Sequence, residues 1–321
     1  MIKAEHLSKS YGDFEALKDL SFQIDGSSVY GFLGPNGAGK STTMNIMTGC
    51  LSPTEGKVSI NGLDIFENAK EAKKLIGYLP EQPPLYVNET PTEYLKFVGE
   101  AKGLKEPELS ANIEEALDRT GLYSVKDKLI RSLSKGFRQR VGIAQAIMGD
   151  PQVIILDEPT VGLDPIQIIE IRDLIKELGR EHTVILSSHI LSEVQAICKK
   201  ILIIAHGELI AFDTPENLEN KMLSPNEISF LTEASQKEAE NILSSLSFIK
   251  DLKMDEKDGY LSVTLNVQCD NIYEASRELF FSFAKNGKAL LEVDLKKANL
   301  EEIFIELTDN SAVYKEEKEE E

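Results

Sequence analysis

Short, fully apolar runs alternate with helix-length amphipathic stretches through the first two thirds of the chain. The runs SVYGFL (28–33), VIIL (153–156), TVILSS (183–188) and ILIIA (201–205) show no polar–apolar alternation. That is the pattern of strands covered on both faces of a largely parallel sheet. Between about 90 and 150 strand-like runs disappear and helical spacing takes over. We therefore expect an α/β domain over residues 1–222, with a helical subdomain (about 90–150) inserted between two sheet-forming segments.

Beyond TPENLENKMLSPNE (214–227) the pattern changes. ISFL reads as a short strand, followed by a helix near 235–246, an apolar run FIKDLKM and a turn DEKDG (255–259). In YLSVTLNV, Leu261, Val263, Leu265 and Val267 alternate strictly, which predicts a strand with one buried face. A second helix is expected over about 271–285, with Ile272, Ala275, Leu279 and Phe283 on one side. ALLEVDL then reads as a strand and NLEEIFIEL as a short terminal helix. The order βαββαβ is the ferredoxin-like arrangement, so residues 223–310 are expected to form a small α+β domain. Residues 311–321, ending KEEKEEE, read as a solvated, disordered acidic tail.

Composition acts mainly by exclusion. The net charge of −19 repels phosphate backbones, so nucleic acid is not an expected partner. Cys50, Cys198 and Cys269 lie far apart with no metal-ligand spacing and read as reduced thiols. No uncharged apolar run approaches the roughly 18 residues that a membrane helix needs. The N-terminus shows no basic-then-apolar signal pattern, so a cytoplasmic protein is expected.

Chemistry enters with GPNGAGKST, Gly34 to Thr42, directly after the strand SVYGFL and before a helical pattern. Gly34, Gly39, Lys40 and Ser41 occupy the fixed positions of a phosphate-binding loop. Its glycines let backbone N–H groups wrap a β-phosphate at a helix N-terminus. Lys40 supplies positive charge for the β- and γ-phosphates, and Ser41 a hydroxyl for Mg²⁺. A second signal, VIILDEPT, sends an apolar strand into Asp157 and Glu158 at the carboxyl edge of the sheet, where ligands bind in open α/β folds. Asp157 suits a Mg²⁺ shell, and Glu158 suits the orientation or deprotonation of a water. A third stretch, LSKGFRQR, is locally a capped helix start: Ser134 as N-cap, with Val141, Ala144 and Met148 at helical spacing behind it.

Together these stretches resemble ATP-binding cassette (ABC) ATPases, and the resemblance runs along nearly all of residues 1–220. It implies that LSKGFRQR is the signature motif, with Ser134 and Gly136 meeting the γ-phosphate held by a second subunit. It implies that Tyr11 stacks on adenine, and that Gly34, Pro35, Asn36, Gly37, Ala38, Gly39, Lys40, Ser41 and Thr42 hold the ATP phosphates. VGLDP (161–165) looks like the D-loop, placing Asp164 near a dimer interface, and His189 in ILSSHIL looks like the switch histidine. The implied catalytic set is Glu158, His189 and Lys40, and the Mg²⁺ set is Ser41, Asp157 and Glu81.

Two departures stand out. The common signature is LSGGQ, whereas here Lys135 and Phe137 take the third and fifth positions. The Q-loop position after GYLP is Glu81, with Gln82 next to it. Either Glu81 replaces the glutamine or the loop shifts by one. These variants, GYLPE and LEEIFIEL resemble the branch that serves ABC-2-type export permeases. The family resemblance implies a homodimer, or a pair with a second ABC ATPase. It also implies an integral membrane permease docking near residues 78–100, where QPPLY (82–86) offers prolines and an aromatic, and attachment to the inner face of the membrane through that permease. The alternatives are a soluble ABC ATPase acting on a non-transport partner, or a switch that binds ATP with little turnover. For the C-terminal domain, a packing or dimerisation role is expected.

Overall fold

The structure is a computed structural model of the chain and describes residues 1–221, 226–257, 259–269 and 271–296. The expected NLEEIFIEL helix and the acidic tail lie outside the described residues. The described chain divides into two units, one comprising Met1–Pro215 and the other beginning at Glu216.

In the first unit, β1 (Ile2–Tyr11) and β2 (Phe14–Ile24) lead into β3 (Ser28–Leu33) and α1 (Lys40–Met47). Next come β4 (Glu55–Ile60), β5 (Leu63–Asp64), α2 (Ala69–Lys74) and β6 (Ile76–Leu79). The helical stretch holds α3 (Pro91–Lys102), α4 (Glu108–Arg119) and α5 (Lys135–Ile147). The chain returns through β7 (Val153–Leu156), α6 (Pro165–Leu178), β8 (Thr183–Ser188), α7 (Leu191–Ile197), β9 (Lys200–Ala205) and β10 (Glu208–Asp213); α8 (Pro215–Lys221) then starts at the last residue of this unit and runs into the second.

The apolar runs form one sheet in the order β10-β9-β3-β8-β7-β6. Its pairs are parallel from β6 to β9, and only β10 runs antiparallel. The chain segments following β6, β7, β8 and β3 therefore emerge side by side on one carboxyl edge. A second sheet, β2-β1-β4-β5, is antiparallel and packs its Ile2, Leu7, Leu17, Leu20 and Ile60 into the same core as Phe32, Ile155 and Ile185. The hydrophobic pattern does not reveal this sheet, because bulges interrupt β1 and β2, with His6 and Asp19 both at φ 50°. A bulge adds one residue and breaks the two-residue period.

The helical segment is fixed by its caps. Thr90 accepts from the Glu93 N–H at 3.2 Å while Glu93 accepts from the Thr90 N–H at 2.9 Å, with Pro91 in the first turn. Ser134 caps α5 through the Phe137 N–H at 3.3 Å, and the helix buries Val141 and Ala144 behind it.

The second unit has the order β11 (Asn226–Thr232), α9 (Gln236–Leu243), β12 (Ile249–Lys257), β13 (Tyr260–Val267), α10 (Ile272–Lys285) and β14 (Leu290–Lys296). Its antiparallel sheet runs β12-β13-β11-β14, and Leu261, Val263, Leu265 and Val267 face a core with Leu279 and Phe283. The turn expected over 255–259 is shorter. Asp255, Glu256 and Lys257 remain paired in β12, and Lys257 lies opposite Tyr260, with Gly259 at φ 82°. A tight hairpin ending in glycine lets the strand continue through charged residues, which an edge strand tolerates.

Candidate functional site

The loop from Gly34 to Gly39 leaves β3 and delivers Lys40 as the first residue of α1. Glycine is required here for two reasons. Gly39 has φ 104°, a left-handed conformation, and a Cβ on it would lie 2.6 Å from Leu17 Cδ2 and 2.9 Å from the Ala16 carbonyl. A Cβ on Gly34 would lie 2.3 Å from the backbone oxygen of Ile204, which cannot yield. The buried Lys40 ammonium donates to the Gly34 carbonyl at 2.7 Å and to Pro35 at 3.2 Å. Burial lowers the Lys40 pKa, and the negative charges of Glu158, Asp157 and Glu81 pull it back up.

Asp157 and Glu158 follow β7, and Ser187 to His189 end β8 and continue beyond it. The Ser187 hydroxyl donates to Asp157 Oδ1 at 2.5 Å and accepts from the Glu158 N–H at 2.8 Å. Ser187 thus holds both members of the acidic pair from the neighbouring strand. Glu158 has φ 48°, an uncommon conformation for a residue with a side chain, and its carboxylate oxygens lie 3.0 and 3.1 Å from His189 Nδ1. An ionised carboxylate only accepts, so Nδ1 carries a proton in this contact.

A cleft of about 380 Å³ gathers Lys40, Ser41, Thr42, Glu81, Glu158 and His189 with Asn36 and Gly37. Tyr11, Phe14 and Ala16 line the same cleft. Of the two residues after GYLP, only Glu81 lines this cleft; Glu81 also borders an adjoining depression, which Gln82 lines with Pro83, Leu85, Lys135 and Arg138. Gly34, Pro35, Ala38 and Asp157 are not part of the cleft lining; the Gly34 and Pro35 carbonyls accept from Lys40, and the Asp157 charge acts on the same ammonium.

Ser134, Gly136 and Asp164 do not line the cleft of their own chain. Asp164 caps α6 by accepting from the Gln167 N–H at 2.9 Å. The Gln167 side chain covers Gly136, where a Cβ would lie 2.7 Å from its Cδ. The Lys135 ammonium lies over Gly162, 2.0 Å from where a Cβ would be. The start of α5 and the VGLDP loop are therefore packed against each other within one chain.

Sequence reasoning missed Phe14, Ser187 and Glu193. Phe14 pairs directly with Tyr11 across the Gly12–Asp13 turn, so the two rings share a face and are 64% and 49% exposed. The two-residue spacing was the available signal. Glu193 accepts from Thr160 and Ser188 in a buried network beneath the cleft.

The family model described as ABC transporter matches residues 17–161. The linearmycin resistance ATP-binding protein of Bacillus subtilis is 33% identical, over 96% of this chain and 98% of its own length. The bacitracin transport ATP-binding protein of Bacillus licheniformis is 34% identical, over 96% of this chain and 97% of its own. The lantibiotic transport ATP-binding protein of Streptococcus pyogenes is 39% identical over 72% of this chain and 98% of its own. Among solved structures, an ATP-binding subunit of an ABC transporter aligns with TM-score 0.63 at 30% identity, covering 69% of this chain and 92% of that one. A dimeric ATP-binding cassette in a post-hydrolysis state bound to ADP and Pi aligns with TM-score 0.61 at 28% identity, covering 67% and 98%.

Proposed function

The chain belongs to the ABC transporter ATP-binding family, and from that premise we propose that it hydrolyses ATP at the Lys40–Glu158–His189 cleft to drive a separate export permease. It is an ATPase of this family. The observation that carries the site assignment is the convergence of a buried lysine, an acidic pair and a histidine on one sheet edge. The names of the full-length relatives, bacitracin transport and linearmycin resistance, support the export branch.

Glu158 orients the attacking water and takes its proton as the new P–O bond forms and the β–γ bridging bond breaks, leaving ADP and phosphate. Its contact with His189 fixes the carboxylate's direction, and a second proton on the ring would make Nε2 a donor to the γ-phosphate. The Lys40 ammonium, already stripped of most water, meets phosphate charge with little reorganisation. The Ser41 hydroxyl and the carboxylates of Asp157 and Glu81 are hard oxygen donors that fit Mg²⁺, which would neutralise phosphate charge. Tyr11 supplies a ring for the adenine.

Ser134, Gly136 and Asp164 lie outside their own cleft, which supports a second cassette whose cleft they complete, as in a homodimer or a pair with another ABC ATPase. Among the described residues no helix is long and apolar enough to cross a membrane. We place the chain on the inner face of the membrane, held there by the permease. An aromatic cluster supports a docking surface in the 78–100 region. Tyr86 lies 5.6 Å from Tyr94 and 5.1 Å from Phe97, with Tyr86 and Phe97 about half exposed. The second unit has its own core and is assigned a packing or dimer-stabilising part.

The test is Mg-ATP hydrolysis by the purified chain, with and without the membrane protein that co-purifies with it, beside Glu158→Gln. Turnover by the wild type no greater than that of the variant in both settings would sink the proposal.

A further inference from the structure

Beneath the catalytic pair lies a carboxylate that the mechanism above does not use. Glu193, on α7, is 3% exposed. Its Oε2 accepts the Thr160 hydroxyl at 2.6 Å and the Ser188 hydroxyl at 3.2 Å, and its Oε1 is 3.4 Å from the Arg172 guanidinium on α6. Thr160 and Ser188 are themselves buried. Arg172 Nε is buried with no hydrogen-bond partner among the described residues.

The connections matter more than the burial. Thr160 stands two residues after Glu158, and Ser188 immediately precedes His189. The Ser188 oxygen also accepts the Ile190 N–H at 3.0 Å, so it brackets His189 from both sides. One oxygen of Glu193 therefore ties the segment carrying the catalytic carboxylate to the segment carrying the histidine. A buried ion pair is weak support for stability, because an apolar replacement of the same volume often does as well. The hydroxyl bonds from Thr160 and Ser188 to the carboxylate do fix geometry, since a charge-assisted hydrogen bond is directional and resists sliding.

We propose that Glu193 is a positioning residue for ATP hydrolysis: through Thr160 and Ser188 it sets the separation of Glu158 and His189, with Arg172 as its countercharge. The inference rests on the ATPase reading above.

The experiment measures kcat and KM for Mg-ATP, with thermal midpoints, in the full chain. Thr160→Val keeps the side-chain shape and removes the hydroxyl; it should lower kcat on the order of tenfold, about 1.4 kcal/mol, with KM within about twofold. Thr160→Ser restores the hydroxyl and should recover most of the turnover. Thr160→Val with Ser188→Ala should lose less than the product of the single losses, since both act through one carboxylate. In a Glu158→Gln background Thr160→Val should lower the residual rate no further, because no catalytic carboxylate remains to be positioned. Three outcomes overturn the proposal: equal kcat for Thr160→Val and Thr160→Ser, kcat losses that only follow the fraction folded, or a Thr160→Val loss that persists without Glu158. A wild type that does not hydrolyse ATP refutes the ATPase reading, which is a distinct result from a wild type indifferent to Thr160.

Discussion

Replacing Ser187 with alanine isolates the contribution of a single hydroxyl to the acidic pair. Ser187 is fully buried and makes two bonds, one to Asp157 Oδ1 at 2.5 Å and one from the Glu158 N–H at 2.8 Å. Alanine strands a buried carboxylate oxygen and a backbone donor. Each stranded group costs about 1–3 kcal/mol, and the two share one environment, so the loss in stability should be about 2–4 kcal/mol. Function should fall for a related reason. Glu158 is held at φ 48°, and the lost bond is one that pins its backbone. Turnover should drop by roughly ten- to a hundredfold, about 1.4–2.7 kcal/mol in activation free energy. The phosphate-binding loop is held by other bonds, so the dissociation constant for ATP should change by less than about threefold. Urea unfolding with and without nucleotide, single-turnover hydrolysis and equilibrium nucleotide binding read the three quantities. A stability loss under about 0.5 kcal/mol with unchanged turnover would show that the turn at Glu158 is held by something other than Ser187.

Burial pushes the Lys102 ammonium down to about 8 from its ordinary 10.5, while its Nζ donates to the Met148 carbonyl at 2.5 Å. The unfolded chain therefore binds more protons between those two values, and stability should rise with pH across that window. Lys102→Met should abolish that rise, read as the change in urea midpoint between about pH 7.5 and pH 9.5. Tyr11→Ala and Phe14→Ala should each weaken ATP binding by about three- to tenfold, from the loss of ring contact worth about 0.5–1.5 kcal/mol. Equal affinity for Phe14→Ala and wild type would show that the Phe14 ring, though it lines the cleft, does not touch the bound base. Gly34→Ala should abolish nucleotide binding, because its Cβ meets the Ile204 oxygen at 2.3 Å; titration calorimetry that still shows wild-type affinity refutes this.

The parallel sheet was legible because strands buried on both faces are continuous apolar words, as in VIIL and TVILSS. The antiparallel sheet was not. The spacing from Ala4 to Leu7 is three, not two, since a bulge at His6 intervenes, and the His6–Asp19 contact that accompanies it is invisible in one strand alone. Candidate site residues after strands could be placed from sequence, since the end of a strand fixes the edge on which they sit. Glu193 could not. In LSEVQAI it occupies a polar position on a short helix, and only its partners on three other segments distinguish it from a solvated acid. Spacing after GYLP could not separate Glu81 from Gln82 either: both border one depression, and Glu81 alone also lines the cleft.

The conformation of Glu158 has a consequence for anyone reshaping this protein. The left-handed region costs a residue with a side chain about 1–2 kcal/mol, and glycine or asparagine occupies it more comfortably. A search for thermostable variants guided by backbone preference alone will therefore nominate position 158 early. On the role proposed for Glu158, robustness gained there by discarding the carboxylate would leave a sturdier but inert chain. Durability and turnover are in direct competition at this residue, so the place to seek a hardier enzyme is elsewhere in the chain.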